Sequence, residues 1–168
     1  MMRFKNASLL GLAGLGTIAT FFPQNADGQT PTQAHIIGED ELTWSDPPAG
    51  VAKGTPSIEP GGTLQYAAMR GDPLIAGQQF VIRLRCSNGY KAAPHWHPND
   101  ENIVVLRGAF SVGIGDTFEL PLLKDIPTGG YGLVPGGMNH FALCKGDTDI
   151  LVYGTGPRLN NWISAPRW

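Results

Sequence analysis

Residues 89–108 read G-Y-K-A-A-P-H-W-H-P-N-D-E-N-I-V-V-L-R-G, running from Gly89 to Gly108. Side chains alternate faces along an extended strand, so His95 and His97 share one side, with Cα atoms roughly 6.5 Å apart. Two imidazoles at that spacing can grip one ion. Pro98-Asn99-Asp100 supplies turn chemistry, and Glu101 then opens the apolar run Asn102-Ile103-Val104-Val105-Leu106. A strand folding back at that turn returns Glu101 to the histidine pair. Further along, Tyr131 to Val134 reads as a short strand and Pro135-Gly136-Gly137 as a tight turn. Asn139 to Cys144 reads as a strand carrying His140 on one face with Ala142 and Cys144. His95, His97, Glu101 and His140 are thus candidate ligands of a single metal ion.

These residues resemble the cupin superfamily. The first stretch fits the pattern G-x5-H-x-H-x3-E-x6-G at Gly89, His95, His97, Glu101 and Gly108. The second pattern, G-x5-P-x-G-x2-H-x3-N, is met by Gly129, Pro135, Gly137 and His140, with Cys144 in place of its final Asn. Along an extended strand Cys144 lies about 13 Å beyond His140, so this departure touches local hydrogen bonding rather than the ligand set. The resemblance covers roughly residues 61–156. It implies an all-β double-stranded β-helix, a jelly-roll barrel, with a metal held by His95, His97, Glu101 and His140. Trp44, Asp46-Pro47-Pro48 and Gly71-Asp72-Pro73 add a softer likeness to small exported bacterial cupins, and at the motif level the chain is similar to quercetin-dioxygenase-like members.

The N-terminus has another character. Arg3 and Lys5 precede an uncharged apolar and small-residue run, Ala7 to Phe22, and Ala26-x-Gly28 has the form of a cleavage site before Gln29. The run is short of the ~20 apolar residues that span a bilayer. A signal peptide over residues 1–28 is therefore expected, giving an exported, periplasmic or extracellular protein with no membrane attachment after cleavage. An extended lead-in over 29–60, a barrel over 61–156 and a tail over 157–168 complete the expected layout.

Dense punctuation by 23 glycines and 14 prolines favours many short strands over helices. Alternation places eight of them at Thr63 to Met69, Gln78 to Cys86, Ala93 to His97, Asn102 to Leu106, Ala109 to Ile114, Gly132 to Val134, Asn139 to Cys144 and Asp149 to Gly154. By strand parity Phe80, Ile82, Leu84, Ile103, Val105 and Ala142 point inward and make an apolar cavity, with no arginine assigned to it. Arg83 and Arg85 take the outer face, and Trp96 faces away from the histidines. His35 reads as a surface residue. Trp162 and Trp168 are expected to serve packing or subunit contact, which leaves a homodimer open. Cys86 and Cys144 both point inward, and the sequence leaves open whether they form a bridge or two buried thiols.

A formal net charge of −2, with 15% charged residues and no basic block, argues against nucleic acid or an anionic membrane as partner. The expected partner is a small organic substrate or ligand. Three neutral imidazoles and one carboxylate leave a divalent Zn, Mn, Cu, Ni or Fe ion with residual positive charge and room for exchangeable ligands. Such a site suits an oxygenase acting on an enol or aromatic substrate, with Glu101 as ligand or proton acceptor. Isomerase, cyclase or lyase chemistry, or a non-catalytic sensor, are the alternatives.

Overall fold

The apolar positions of residues 79–86 enter the structure as alternate buried side chains: Phe80, Ile82, Leu84 and Cys86 all lie at or below 5% exposure. The computed structural model describes residues 34–51 and 62–163, and those from Ile37 onward belong to one unit, Ile37–Trp168. The expected signal peptide, part of the expected lead-in and Trp168 lie outside the described residues. Among the described residues, eight strands form one antiparallel sheet: β1 (Leu64–Arg70), β2 (Gln79–Cys86), β3 (Lys91–Trp96), β4 (Glu101–Ile114), β5 (Lys124–Pro127), β6 (Tyr131–Val134), β7 (His140–Thr155) and β8 (Asn161–Trp162). No helix among them is long and apolar enough to cross a membrane.

Two long strands organise this sheet. The C-terminal half of β7 pairs with β2 on one side and with the N-terminal half of β4 on the other. Its N-terminal half pairs with β3 and with the remainder of β4. The first set continues outward to β1 and β6, the second to β8 and β5. The sheet is thereby folded into two layers, a jelly roll. Between the layers Phe80, Ile82, Ile103, Val105 and Val152 are at most 2% exposed. Burying a side chain of this kind contributes about 1.5–3 kcal/mol.

The sequence divides β4 at Arg107-Gly108 and β7 at Lys145 to Thr148, whereas each runs through as one bent strand. Register shifts fall on either side of Arg107 in its pairing with β7, and Gly108 has φ +76°. A Cβ on Gly108 would lie 2.7 Å from the Asp147 carbonyl and 2.8 Å from Thr148 Oγ1. The bulge turns the strand from one layer to the other at a point where a side chain cannot fit.

The two cysteines are joined: Cys86 at the end of β2 and Cys144 in β7 form a disulfide with Cα atoms 6.3 Å apart. On the outer face Arg83 donates from Nε to Asp149 Oδ1 at 3.1 Å, and the Arg85 guanidinium lies 3.9 Å from the Trp44 ring centroid. The Trp44 contact and the pairing of Ser45 with Tyr66 hold the lead-in against β1 and β2. Trp96 is on the outside at 37% exposure, His35 is exposed, and Trp162 packs against the His95 ring at 4.9 Å.

Candidate metal centre

His95 ends up opposite His140 as a Cα partner across β3 and β7, and His97 follows directly after β3. The turn preceding β7 is tied to the histidine segment because Gly137 donates its N–H to the His97 carbonyl at 2.8 Å. Gly137 adopts φ +77°, a conformation that a residue with Cβ resists. These connections bring one ring nitrogen from each of His95, His97 and His140 within 4.8 Å of one another. All three residues are at most 3% exposed.

Their tautomers follow from their partners. Nδ1 of His95 lies 2.7 Å from the Ala93 carbonyl, that of His97 2.9 Å from Leu159 O, and that of His140 3.0 Å from Met138 O. A carbonyl oxygen only accepts, so each Nδ1 donates and each neutral ring keeps its lone pair on Nε2. The buried Nε2 of His97 has no hydrogen-bond partner. A buried polar atom left in that state costs roughly 1–3 kcal/mol. Backbone acceptors that fix the ring orientation, together with an unmatched lone pair, are the features of a metal-ligating imidazole. The donor set fits a divalent transition metal ion, and His95, His97 and His140 could hold it.

Glu101, the first residue of β4, is buried beside them at 4% exposure. Its Oε2 lies 3.5 Å from Nε2 of both His97 and His140. Its Oε1 is taken by Arg158, which donates to it from Nε at 2.9 Å and also from Nη2. Arg158 is 6% exposed, so an arginine lines the cavity to which the sequence assigned none. Strand parity could not find this residue because it sits on the segment after β7, where no alternation exists. The same guanidinium donates from Nη1 to Val51 O at 2.7 Å and to Asn160 Oδ1 at 3.2 Å.

Burial depresses the His95 imidazole well below its ordinary value, and the neighbouring His140 and His97 add to this. His97 is lowered chiefly by burial and then by Arg158. Burial alone would raise the Glu101 carboxyl, but Arg158, His97 and His140 hold it well below the usual carboxylate range. His95 and His97 are thus held in the neutral form that ligation needs, and Glu101 is an anion and a weak proton acceptor. In the metal-free protein, the unfolded chain takes up protons at His95 and His97 as pH falls through 6.5, while the folded chain takes them up only at lower pH. Stability must therefore fall with pH there, by up to about 1.4 kcal/mol per unit for each histidine. Urea unfolding of metal-free protein at pH 7.5 and 5.5 is expected to show this loss, and equal midpoints would contradict it. The Glu101 contribution is still intact in that window, because it is lost only as pH falls through the lowered carboxyl value.

An apolar cavity opens from these groups into the barrel, bounded by Leu84, Ile103, Phe110, Ile150 and the Cys86–Cys144 bridge, with His95, His140 and Arg158 in its wall. It gives the centres of water-sized molecules about 50 Å³. One water needs ~10–15 Å³ on that measure, so the interior suits a few-atom ligand.

No protein-family profile matches the sequence, and no curated protein matches it. Solved structures do. A polyketide cyclase, RemF from Streptomyces resistomycificus, superposes with TM-score 0.55 at 16% identity, over 76% of this chain and 85% of its own. A candidate acetylacetone dioxygenase from Methylibium petroleiphilum PM1 gives TM-score 0.54 at 14% identity, over 76% and 81%. An RmlC-like cupin from Shewanella frigidimarina gives 0.52 at 15%, over 73% and 91%. At these identities the likeness is one of fold, and the fold is that of a single-barrel cupin.

Proposed function

We propose that this chain is an exported, metal-dependent oxygenase for a small enol-type organic molecule such as a short 1,3-dicarbonyl. The observation that carries the reading is the convergence of three buried imidazoles, each with Nδ1 committed to a carbonyl, beside a small apolar cavity whose wall includes two of them, His95 and His140. A divalent ion held there would supply a Lewis acid for the oxygens of an enolate. The protein's own part is to keep three Nε2 lone pairs aimed inward, to place the anionic Glu101 beside them and to keep bulk water out with Leu84, Ile103 and Ile150. Because Arg158 holds Glu101 as a weak proton acceptor, this carboxylate suits ligation better than proton abstraction.

Cavity size favours a substrate of diketone dimensions over a flavonol, and the Methylibium neighbour, by its description, points toward the same chemistry. The disulfide supports export, since such bridges persist in oxidising compartments. The test uses protein recovered from the extracytoplasmic fraction and beginning near Gln29, loaded separately with Fe(II), Mn(II), Ni(II), Cu(II) and Zn(II). Oxygen uptake is followed with short 1,3-diketones, catechols and a flavonol. Uptake with the diketone, and both atoms of labelled dioxygen in the products, is the expected outcome. Conversion without oxygen would replace the oxygenase with an isomerase or cyclase, and no conversion by any form would leave a binding module.

A further inference from the structure

The contacts of Arg158 are divided unevenly. Both Nε and Nη2 donate to Oε1 of Glu101, and neither donates to Oε2. Nη1 is fixed from behind by Val51 O and Asn160 Oδ1, so the guanidinium plane is held on two sides. Oε2 alone is left to face Nε2 of His97 and His140, 3.5 Å from each. The next residue, Leu159, accepts the Nδ1 proton of His97 through its carbonyl. Two consecutive residues outside both histidine segments therefore orient two of the groups that face the centre.

We propose that Arg158 is a positioning residue of the metal centre, which by occupying Oε1 makes Glu101 present a single oxygen to the ion. This rests on the reading of His95, His97 and His140 as a metal site. A freely rotating carboxylate between two imidazoles can offer both oxygens to an ion, and its charge is then shared over two bonds. With Oε1 saturated by two donors, chelation by both oxygens would require breaking a buried, doubly hydrogen-bonded ion pair. Lysine cannot reproduce the arrangement. Its compact ammonium can pair with Glu101, but it has no rigid fork to reach Val51 O, Asn160 and Oε1 together.

The experiment uses Co(II) as the probe, with wild type, Arg158→Lys and Arg158→Met, reading the visible Co(II) absorption and the affinity in competition with a chelator. Wild type is expected to bind Co(II) through three imidazoles and one carboxylate oxygen. In both variants the released carboxylate is expected to chelate, raising the coordination number and weakening and shifting the visible bands. The Arg158→Met protein is also expected to lose about 10–100-fold in Co(II) affinity, the usual cost of removing a group that orients a ligand. A residue that served only to neutralise Glu101 would lower the stability of the metal-free protein and leave the Co(II) spectrum alone. Should Arg158→Met fail to fold, the spectrum of Arg158→Lys decides. Variant spectra superimposable on wild type would overturn the proposal while leaving the metal site standing, and absence of Co(II) binding by wild type would overturn both.

Discussion

His140→Ala is expected to bring the metal content of the purified protein to background after dialysis against a weak chelator. The side chain supplies one of three imidazole nitrogens that lie within 4.8 Å of one another, and its Nδ1 is held on Met138 O at 3.0 Å. Removing it leaves two histidines and one oxygen of a carboxylate already engaged by Arg158. The loss should exceed the ~10–100-fold that follows deletion of a mere orienting hydrogen bond. Folding should survive, since the Met138 carbonyl set free is on an exposed turn residue and Glu101 keeps its two hydrogen bonds from Arg158. Trp96→Phe is the control, because that side chain lies between two candidate ligands in sequence but on the outer surface. Full metal occupancy in His140→Ala, measured by elemental analysis, would show that β7 does not contribute to the site.

Replacing both cysteines by alanine should lower the folding free energy by about 4 kcal/mol, from the loop entropy of a bridge between residues 58 apart. For a unit of this size that corresponds to a thermal midpoint lower by roughly 10–20 °C. Cys86 and Cys144 are 5% and 1% exposed and form a small cluster with Tyr90, packed against Leu64 and Phe110 at the edge of the cavity. Loosening that wall should therefore weaken ligand retention as well as the fold. Unchanged midpoints for the double variant would contradict stabilisation by a bridge that closes this loop in the unfolded chain.

What could be read from the sequence and what could not divide along local and non-local lines. His95 and His97 announce themselves by a two-residue spacing, and the inward set Phe80, Ile82 and Leu84 by alternation; both are properties of a single strand. The convergence of His140 is suggested by its strand behind the Pro135-Gly136-Gly137 turn and reinforced by the resemblance to a known motif pair. Whether Cys86 and Cys144 are joined depended on a distance that parity does not supply. β5 escaped notice because Lys124–Pro127 offers one half-buried apolar residue, Ile126, and a proline that reads as a turn. The glycines at 108 and 146 read as stops, yet they are bends within continuous strands. Arg158 was invisible for the plainest reason: nothing in its neighbourhood records that Glu101, far away in sequence, is its partner.

The central place of β7 also sets a timetable. This strand pairs with β2, β3 and β4, joining Phe80 to Gly154 and His95 to His140. Closing such long loops before any contact rewards them makes folding of this kind slow, on a scale of milliseconds to seconds. A chain that emerges from its N-terminus shows His95, His97 and the thiol of Cys86 long before His140 and Cys144 exist beside them. Until the last third has appeared, those groups belong to an open sheet edge, vulnerable to the wrong partner. Closure of the bridge, and on the proposed reading the loading of an ion, therefore wait on the arrival of the same strand.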